Sequence, residues 1–334
     1  MKLPDPVAFL AEVAARRGWE FTLLDPDSGY LCEVSDGRNA FLSGAGKVSA
    51  YPLNAATAAS IASDKTHTAR LLTRAGLRTP KGEHFFTTDR FSAKRPPGRR
   101  ADEAAAYAER LGFPVFVKPN DGSCGAYADT AFNGADVRRL LDAMAEAHPV
   151  ALVQELLHGR EFRVFVVDGA PLFAYERRAG GLVGDGAATV AELLARGNRA
   201  LVADGMTPIP LDSPYLLNRL VAVGMTLNTV LPAGATFQAS PRRNISAGAS
   251  VAAFTADFSP AFRAYARSAA AALGLRVCGL DVMSPDDLRD PGALTLLEVN
   301  SNPSLSGLAQ SGRRDVVLDA WERIADIWFK EAAS

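Results

Sequence analysis

Apolar residues Val7, Phe9, Leu10 and Val13 recur at helical spacing directly after Pro4-Asp5-Pro6, a segment suited to a helix start, so a helix is expected over 5–17. Short β-like runs at 21–24, 30–34 and 40–42, broken by Asp-Ser-Gly and Asp-Gly, predict strands joined by turns. A further helix is expected from Ser63-Asp64, carrying Ala69, Leu71 and Leu72 and stopping at Gly76. Residues 92–100 read as a cationic Pro/Gly loop, and beyond them helices and strands alternate. The pattern predicts a helix at 101–111, a buried strand at 115–118, a helix at 134–147 and strands at 150–154 and 161–167. A hairpin partner follows at 171–177 across Asp168-Gly169, then helices at 189–195, at 214–223 and from Ser259-Pro260. Two closely spaced apolar strands, 277–283 and 293–299, precede an amphipathic helix from residue 314. Its stripe of Val317, Leu318, Trp321, Ile324 and Trp328 has the spacing of a core face. The whole is an α+β pattern rich in antiparallel pairs, with neither βαβ repetition nor an internal repeat.

Composition narrows the class. The 334 residues carry 36 Lys+Arg against 37 Asp+Glu, which speaks against a polybasic nucleic-acid binder. At 48% hydrophobic the chain is too apolar for disorder, and no run of 18 uncharged apolar residues suggests a membrane span. The start, Met1-Lys2-Leu3-Pro4-Asp5, lacks the apolar stretch of a signal peptide, and three cysteines (Cys32, Cys124, Cys278) make no full disulfide framework. A cytoplasmic protein of roughly two domains, at about 150 residues each, is the expectation. Only seven of the basic residues are Lys, so a Lys inside a structured motif draws notice. The four His are scattered, leaving little material for a zinc site or a His-based triad.

Two phosphate-binding signatures fail on inspection. Gly44-Ala45-Gly46-Lys47 has Phe41 and Val48 where a P-loop needs Gly and Ser or Thr, and no GxGxxG follows a strand. The informative positions are those where a polar side chain interrupts an apolar strand. Asp281 is the one charged residue in 277–283, and Glu298 the one in 296–299. A bare buried carboxylate is costly unless it is paired or bound to a cation. Strand periodicity puts Glu298 and Asn300 on one face, and Asp281 joins them if the strands are neighbours. Two carboxylates and an amide oxygen suit Mg²⁺; ion-paired or capping carboxylates are the alternative. Lys118 ends the apolar strand Val115–Lys118 and leads into Pro119-Asn120-Asp121-Gly122-Ser123-Cys124-Gly125, a loop whose backbone N–H groups can cover polyphosphate. Lys65 stands at a helix start. Gln154-Glu155-Leu156-Leu157 ends a strand and passes through Gly159 to Glu161-Phe162-Arg163, an extended hinge able to read an adenine edge, with an acid just beyond it for ribose hydroxyls. Arg177-Arg178 and Arg242-Arg243-Asn244 offer anion-binding groups in loops, with exposed surface charge as the alternative.

Taken in order, these motifs resemble the ATP-grasp superfamily of carboxylate–amine ligases over residues 63–315. The run 184–193 and Asn-Ile-Ser-x-Gly at 244–248 look most like cyanophycin synthetase and the ligase part of bifunctional glutathione synthetases. Gly279-Leu280-Asp281-Val282 is also similar to D-alanine–D-alanine ligase. The resemblance implies an ATP-grasp fold of two α+β lobes clamping ATP. Residues 63–334 would form this domain, with a glycine-loop lobe at 112–155 and a metal-binding lobe at 160–334, after a shortened pre-ATP-grasp region at 1–62. It implies Lys65, Lys118, Ser123 and Gly125 on the ATP phosphates, Gln154, Glu155, Leu156 and Leu157 around adenine, and Glu161 near ribose. Asp281, Glu298 and Asn300 would hold Mg²⁺ or Mn²⁺, and Arg243, Arg242 or Arg177 would face the transferring phosphoryl group. The implied activity is joining a carboxylate of an amino acid or short peptide, activated as an acyl phosphate, to an amine, in small-molecule or peptide natural-product biosynthesis. The alternatives are kinase-like phosphoryl transfer to a small metabolite and a non-catalytic nucleotide-binding module. Partners would be small molecules, with neither nucleic acid nor membrane, and a homodimer is left open. Three departures stand out. Cys124, Ala126 and Tyr127 make the glycine loop bulkier. Gly279 occupies the place where D-alanine ligases carry an Arg, so the charge must come from elsewhere. The Mur-like ligase domain of cyanophycin synthetases has no counterpart, which speaks against polymer synthesis.

Overall fold

The computed structural model describes residues 2–88, 90, 97–123, 125–241 and 250–334. Helix α1 (Asp5–Arg17) carries Pro in its first turn and ends on left-handed Gly18, and it is followed by the antiparallel meander β1 (Glu20–Leu23), β2 (Leu31–Ser35) and β3 (Ala40–Gly44). Two helices the pattern treats as one start come next: α2 (Ala56–Ser63) and α3 (Lys65–Arg74), separated by Asp64, whose side chain accepts the His67 N–H. The Ala-rich α2 carries only the small polar residues Thr57, Ser60 and Ser63 on its exposed side, a weak stripe that does not mark it as a separate element.

The first large sheet has the order β4-β7-β5-β6. Its members are β4 (Gly82–Phe86), then, after α4 (Ala101–Leu111), β5 (Val115–Pro119) and β6 (Asp129–Ala131), and, after α5 (Gly134–Met144), β7 (Val150–Glu155). Val115, Val117, Ala131, Ala151 and Val153 turn to one face and make a core with Ala104 and Ala108 of α4 and Val137, Leu141 and Met144 of α5. The opposite face is left to the cleft.

The second sheet has the order β12-β9-β8-β13-β14. Strands β8 (Arg160–Val167) and β9 (Ala170–Arg178) form a hairpin. An excursion then carries β10 (Leu182–Val183), α6 (Val190–Ala203), α7 (Pro214–Ala222) and β11 (Thr236–Phe237), with its own small core of Val190, Leu194, Leu216, Leu220 and Phe237. Helix α6 runs past the expected 189–195: a reciprocal capping box between Thr189 and Glu192 starts it, and the chain stays helical to Ala203. The sheet is completed by β12 (Ser250–Thr255), α8 (Pro260–Leu273), β13 (Val277–Ser284) and β14 (Thr295–Asn300), and α9 (Arg314–Ala332) closes the chain. Strand β14 starts two residues later than expected because Pro291–Ala293 form a 3₁₀ turn capped by Asp290. The short strands β4, β10, β11 and β12 escape the sequence pattern.

Alternate residues of β8 and β13 divide this sheet's faces. Phe162, Val164, Val166, Cys278, Leu280 and Val282 pack on α8. On the other face Phe165, Val167, Tyr175 and Val277 share one core with α1, the β1–β3 meander and α9, centred on Trp321 and on Tyr51, which stacks on it at 4.7 Å. Among the described residues no helix is long and apolar enough to cross a membrane.

Candidate active site

The site lies between the uncovered face of the first sheet and the part of the second that carries Arg163, Arg177, Asp281 and Glu298 beyond the Trp321 core. Pairing across β7, β5 and β6 aligns Gln154, Phe116 and Thr130 in one row and Leu152 beside Lys118 in the next. These side chains line the cleft because their neighbours Val115, Val117 and Val153 are committed to the core behind. The cleft is lined by Lys65, Phe116, Lys118, Ser123, Gly125, Glu161, Arg177, Asp281 and Glu298.

Its first wall is cationic and underpartnered. Lys118 is buried, yet its ammonium makes no hydrogen bond or ion pair with a described residue. Burial lowers its pKa, against the pull of Glu298 across the cleft. Lys65 at the start of α3 donates to the Gly122 carbonyl at 2.5 Å and stands 4.0 Å from Glu298. The loop is pinned here: Asn120 Oδ1 accepts from the Thr66 N–H at 3.0 Å and its hydroxyl at 2.7 Å, and the Lys65 N–H donates to the Asn120 carbonyl. Tyr127, one of the bulky departures, adopts a positive φ of 57° and turns its ring against His148 rather than into the loop's path over the cleft. Cys124 lies outside the described residues.

The second wall is a ladder of matched charges. Tyr175, Arg163, Asp281 and Glu298 sit directly opposite one another across β9, β8, β13 and β14, and Arg177 opposes Glu161 in the next row. Asp281 accepts from both Nε and Nη2 of Arg163, the latter at 3.0 Å, and forms an ion pair with Arg177 Nη2 at 2.7 Å. Arg177 also pairs with Glu161. Burial alone would push the Asp281 carboxyl up; the guanidiniums of Arg163 and Arg177 override it and hold the carboxyl well below the usual carboxylate range. Gly279 permits this arrangement, because a Cβ there would stand 2.8 Å from the Pro303 side chain and 3.0 Å from Arg163 Cδ. The charge missing at position 279 is thus supplied by Arg163 from the neighbouring strand. Sequence reasoning passed over Arg163, although its spacing two residues from Glu161 signals a shared face.

The structure therefore brings Lys65, Lys118, Ser123, Gly125, Glu161, Arg177, Asp281 and Glu298 around one cleft. Asn300 joins them, its amide 3.2 Å from Glu298 and 3.4 Å from Asp281. The expectation of Asp281 as a carboxylate awaiting a metal needs amending, since two guanidiniums already neutralise its inner side. The set nevertheless suits a hard cation: the Glu298 carboxyl reaches the Asp281 carboxyl, the Asn300 amide stands beside both, and among the described residues neither His nor Cys intervenes. Gln154 is buried at the far end of the cleft's strand row. Glu155 is turned away: its carboxylate accepts the Lys81 N–H at 2.9 Å and its own N–H donates to the Lys81 carbonyl at 2.8 Å. Leu156 and Leu157 are half-buried in the connection between the two sheets. Arg242 and Arg243 lie outside the described residues, as does the rest of 242–249.

Comparison with known proteins agrees with this geometry. Residues 62–185 match the family described as the RimK-like ATP-grasp domain. The glutathione biosynthesis bifunctional protein of Streptococcus mutans is 31% identical over 255 residues, covering 72% of this chain and 32% of that protein. Cyanophycin synthetase of Nostoc sp. is 30% identical over 253 residues, covering 73% of this chain and 26% of its own length. The chain thus spans about a third or less of the curated relatives it matches. In fold it is similar to the crystal structure of a bifunctional glutathione synthetase from Pasteurella multocida, with a TM-score of 0.51 and 22% identity over 91% of this chain and 40% of that one.

Proposed function

We propose, from the premise that this chain belongs to the ATP-grasp proteins and carries a RimK-like ATP-grasp domain, that it is an ATP-dependent carboxylate–amine ligase. Its similarity to glutathione and cyanophycin synthetases, which are ATP-dependent carboxylate–amine ligases, supports the reading. In this view residues 63–334 form the ATP-grasp domain and 1–62 a region preceding it. The observation that carries the proposal is the continuity of two pockets. The cleft beside Lys118 and a second cavity beyond it share Ser123, Arg177 and Glu298. A polyphosphate lying against Lys65, Lys118 and the N–H groups of Gly122, Ser123 and Gly125 would present its terminal phosphoryl group to a substrate in the second cavity. Gln154, Leu156 and Leu157 would border adenine and Glu161 the ribose.

Asp281, Glu298 and Asn300 would hold Mg²⁺, or Mn²⁺ in its place; the cation would offset phosphate charge as it builds up. A carboxylate oxygen attacks the γ-phosphorus, the bond from that phosphorus to the β-γ bridging oxygen breaks, and ADP leaves. The nitrogen of a neutral amine then attacks the acyl carbon, inorganic phosphate departs, and the nitrogen gives up a proton. Arg177 is placed to steady oxygen charge in both steps: its Nε is buried without a hydrogen-bond partner on a side chain lining both pockets. In this reading the acyl group passes through phosphate and needs no enzyme-bound acyl intermediate.

The test is ADP release measured over amino acids singly and in pairs, with mass detection of the product. Release that rises with an amine, together with an amide product, is expected. ADP formation indifferent to every amine would point instead to simple phosphoryl transfer and overturn the ligase reading.

A further inference from the structure

Tyr175 carries a hydroxyl that the core around it does not use. Its ring belongs to the cluster centred on Trp321, where the residue is 2% exposed, and a phenylalanine ring would fill the same space. The hydroxyl forms no hydrogen bond with a described residue, and an unpaired polar group inside a protein opposes folding. Tyr51 in the same core is equally buried, yet it donates its hydroxyl to the Pro303 carbonyl at 2.7 Å. Tyr265 also leaves a hydroxyl unpaired, but that atom is sealed inside the fold. Tyr175 instead borders the second cavity.

Strand geometry fixes its neighbours there. Tyr175 lies opposite Arg163 across β8 and β9 and two residues before Arg177, so the three side chains stand on one face, and all three line the cavity. The rest of the lining includes Asn302 and Ser304 after β14, and Asp204 from the excursion between β9 and β12. Both guanidiniums are engaged by carboxylates, Arg163 by Asp281 and Arg177 by Asp281 and Glu161. The phenol is the neutral donor in a group whose charges are already matched. Burial pushes its pKa up, against the pull of the Arg163 and Arg177 charges, so it keeps its proton at neutral pH.

The cavity meets the cleft at Ser123, Arg177 and Glu298, and the carboxyl carbon of a donor must reach that junction to be phosphorylated. The carbonyl oxygen of an acyl phosphate is a weak acceptor, whereas the same oxygen becomes an anion when an amine attacks. A hydrogen bond from a neutral phenol therefore strengthens as the reaction proceeds, which is the condition for catalysis.

We infer that Tyr175 is a catalytic residue of the second step, its hydroxyl donating a hydrogen bond to the acyl oxygen as the amine attacks. The inference rests on the ligase reading. The C–N bond forms while the carbonyl π pair moves onto oxygen, where the phenol meets it without giving up its proton. The pair then returns, the bond from carbon to the phosphate oxygen breaks, inorganic phosphate leaves with the electrons of that bond, and the nitrogen gives up a proton.

Hydroxylamine serves as the amine probe, because it converts an acyl phosphate into a hydroxamate and inorganic phosphate. The carboxylate probes are the common amino acids and their glycyl dipeptides. Hydroxylamine is kept low enough for hydroxamate formation to be first order in it, so that the second step limits the rate. With any probe that yields hydroxamate, Tyr175→Phe removes the hydroxyl and keeps the ring. The single-turnover rate of ADP formation should be retained and the hydroxamate rate should fall about tenfold or more, with little change in KM for the carboxylate. The variant should melt at the temperature of the parent or above, since the fold loses no hydrogen bond. A lower melting temperature would mean that the hydroxyl is bonded within the fold, and it overturns the inference. So does an unchanged hydroxamate rate, a raised KM with the rate kept, or an equal slowing of ADP formation, which would put the hydroxyl at the first step. In each of these cases the parent still makes hydroxamate and the ligase reading stands. Absence of hydroxamate from every probe in the parent overturns both.

Discussion

The two sheets facing the cleft treat buried charge in opposite ways. On the four-stranded sheet Lys118 is buried with no described residue pairing its ammonium, and its pKa falls because burial disfavours the charged form. On the five-stranded sheet Asp281 is equally buried but clasped by Arg163 and Arg177, with Glu161 compensating Arg177 in turn. The first wall is left incomplete for a ligand that brings its own negative charge. In the second the carboxylate is clasped before any ligand arrives, Arg177 Nε is left open, and the geometry in which catalytic oxygens are held is set in advance. The comparison predicts that equal surgery on the two walls gives unequal results.

The largest effect should come from Asp281→Asn. The substitution leaves two buried guanidiniums facing each other without their shared anion, and breaking a buried pair in this way costs about 3–5 kcal/mol. Denaturant unfolding should show a loss of that size, together with loss of ATP turnover. A variant that unfolds like the parent would mean that the ladder is not the preorganised wall described above.

Lys118→Met should do the reverse. Nothing in the fold loses a partner, so stability is expected to hold or rise, while ATP affinity falls about 10–100-fold for a lost charged hydrogen bond. The same lysine predicts an opposed pair of pH dependences. Its folded pKa is depressed below the ordinary 10.5, so between the two values the unfolded chain binds more protons than the native one. Its contribution to stability therefore rises with pH across that window. ATP needs the ammonium, so binding should weaken over the same window and should take up protons within it. Calorimetry in buffers of different ionisation enthalpy reads that uptake; its absence, with a flat affinity profile, would place the lysine off the phosphates.

How much of this was legible beforehand follows the same divide. Lys118, Asp281, Glu298 and Asn300 stood out because each interrupts or ends an apolar run, and period-two geometry fixes which of them share a face. What holds Asp281 was not legible. Arg163 lies 118 residues away in sequence, and its pairing depends on β8 lying beside β13, a non-local fact that spacing along one strand does not contain. A metal, or an ion pair with an unnamed partner, was therefore the expected counter-charge, and the fold supplies two guanidiniums on the inner side of Asp281. The excursion carrying Asp204 was obscure for a different reason: its strands are two residues long, too short for any periodicity to register. The N-terminal region follows the same logic. Its helix and strands were visible as elements, but their packing onto β8, β9 and α9 as part of one core was not.

The smallest expected effect tests whether the two walls are independent. Ser213, the N-cap of α7, accepts the Leu216 N–H at 3.2 Å and donates to Asp129 Oδ2 on β6 at 2.6 Å, inside a buried contact. Next to it Arg139 of α5 pairs with Asp212 at 2.6 Å. Through these bonds the excursion that lines the second cavity is tied to the lobe that carries the glycine loop, although in the chain it belongs to the five-stranded sheet. Ser213→Ala should cost about 1–2 kcal/mol as a lost cap, and the Asp129 bond goes with it. If the tie transmits loop position to the cavity, hydrogen exchange should quicken in both β6 and α7, and KM for the donor should rise along with KM for ATP. If only the α7 amides quicken and both KM values stay put, the excursion moves apart from the loop, and the contrast between the walls becomes one of two bodies acting separately.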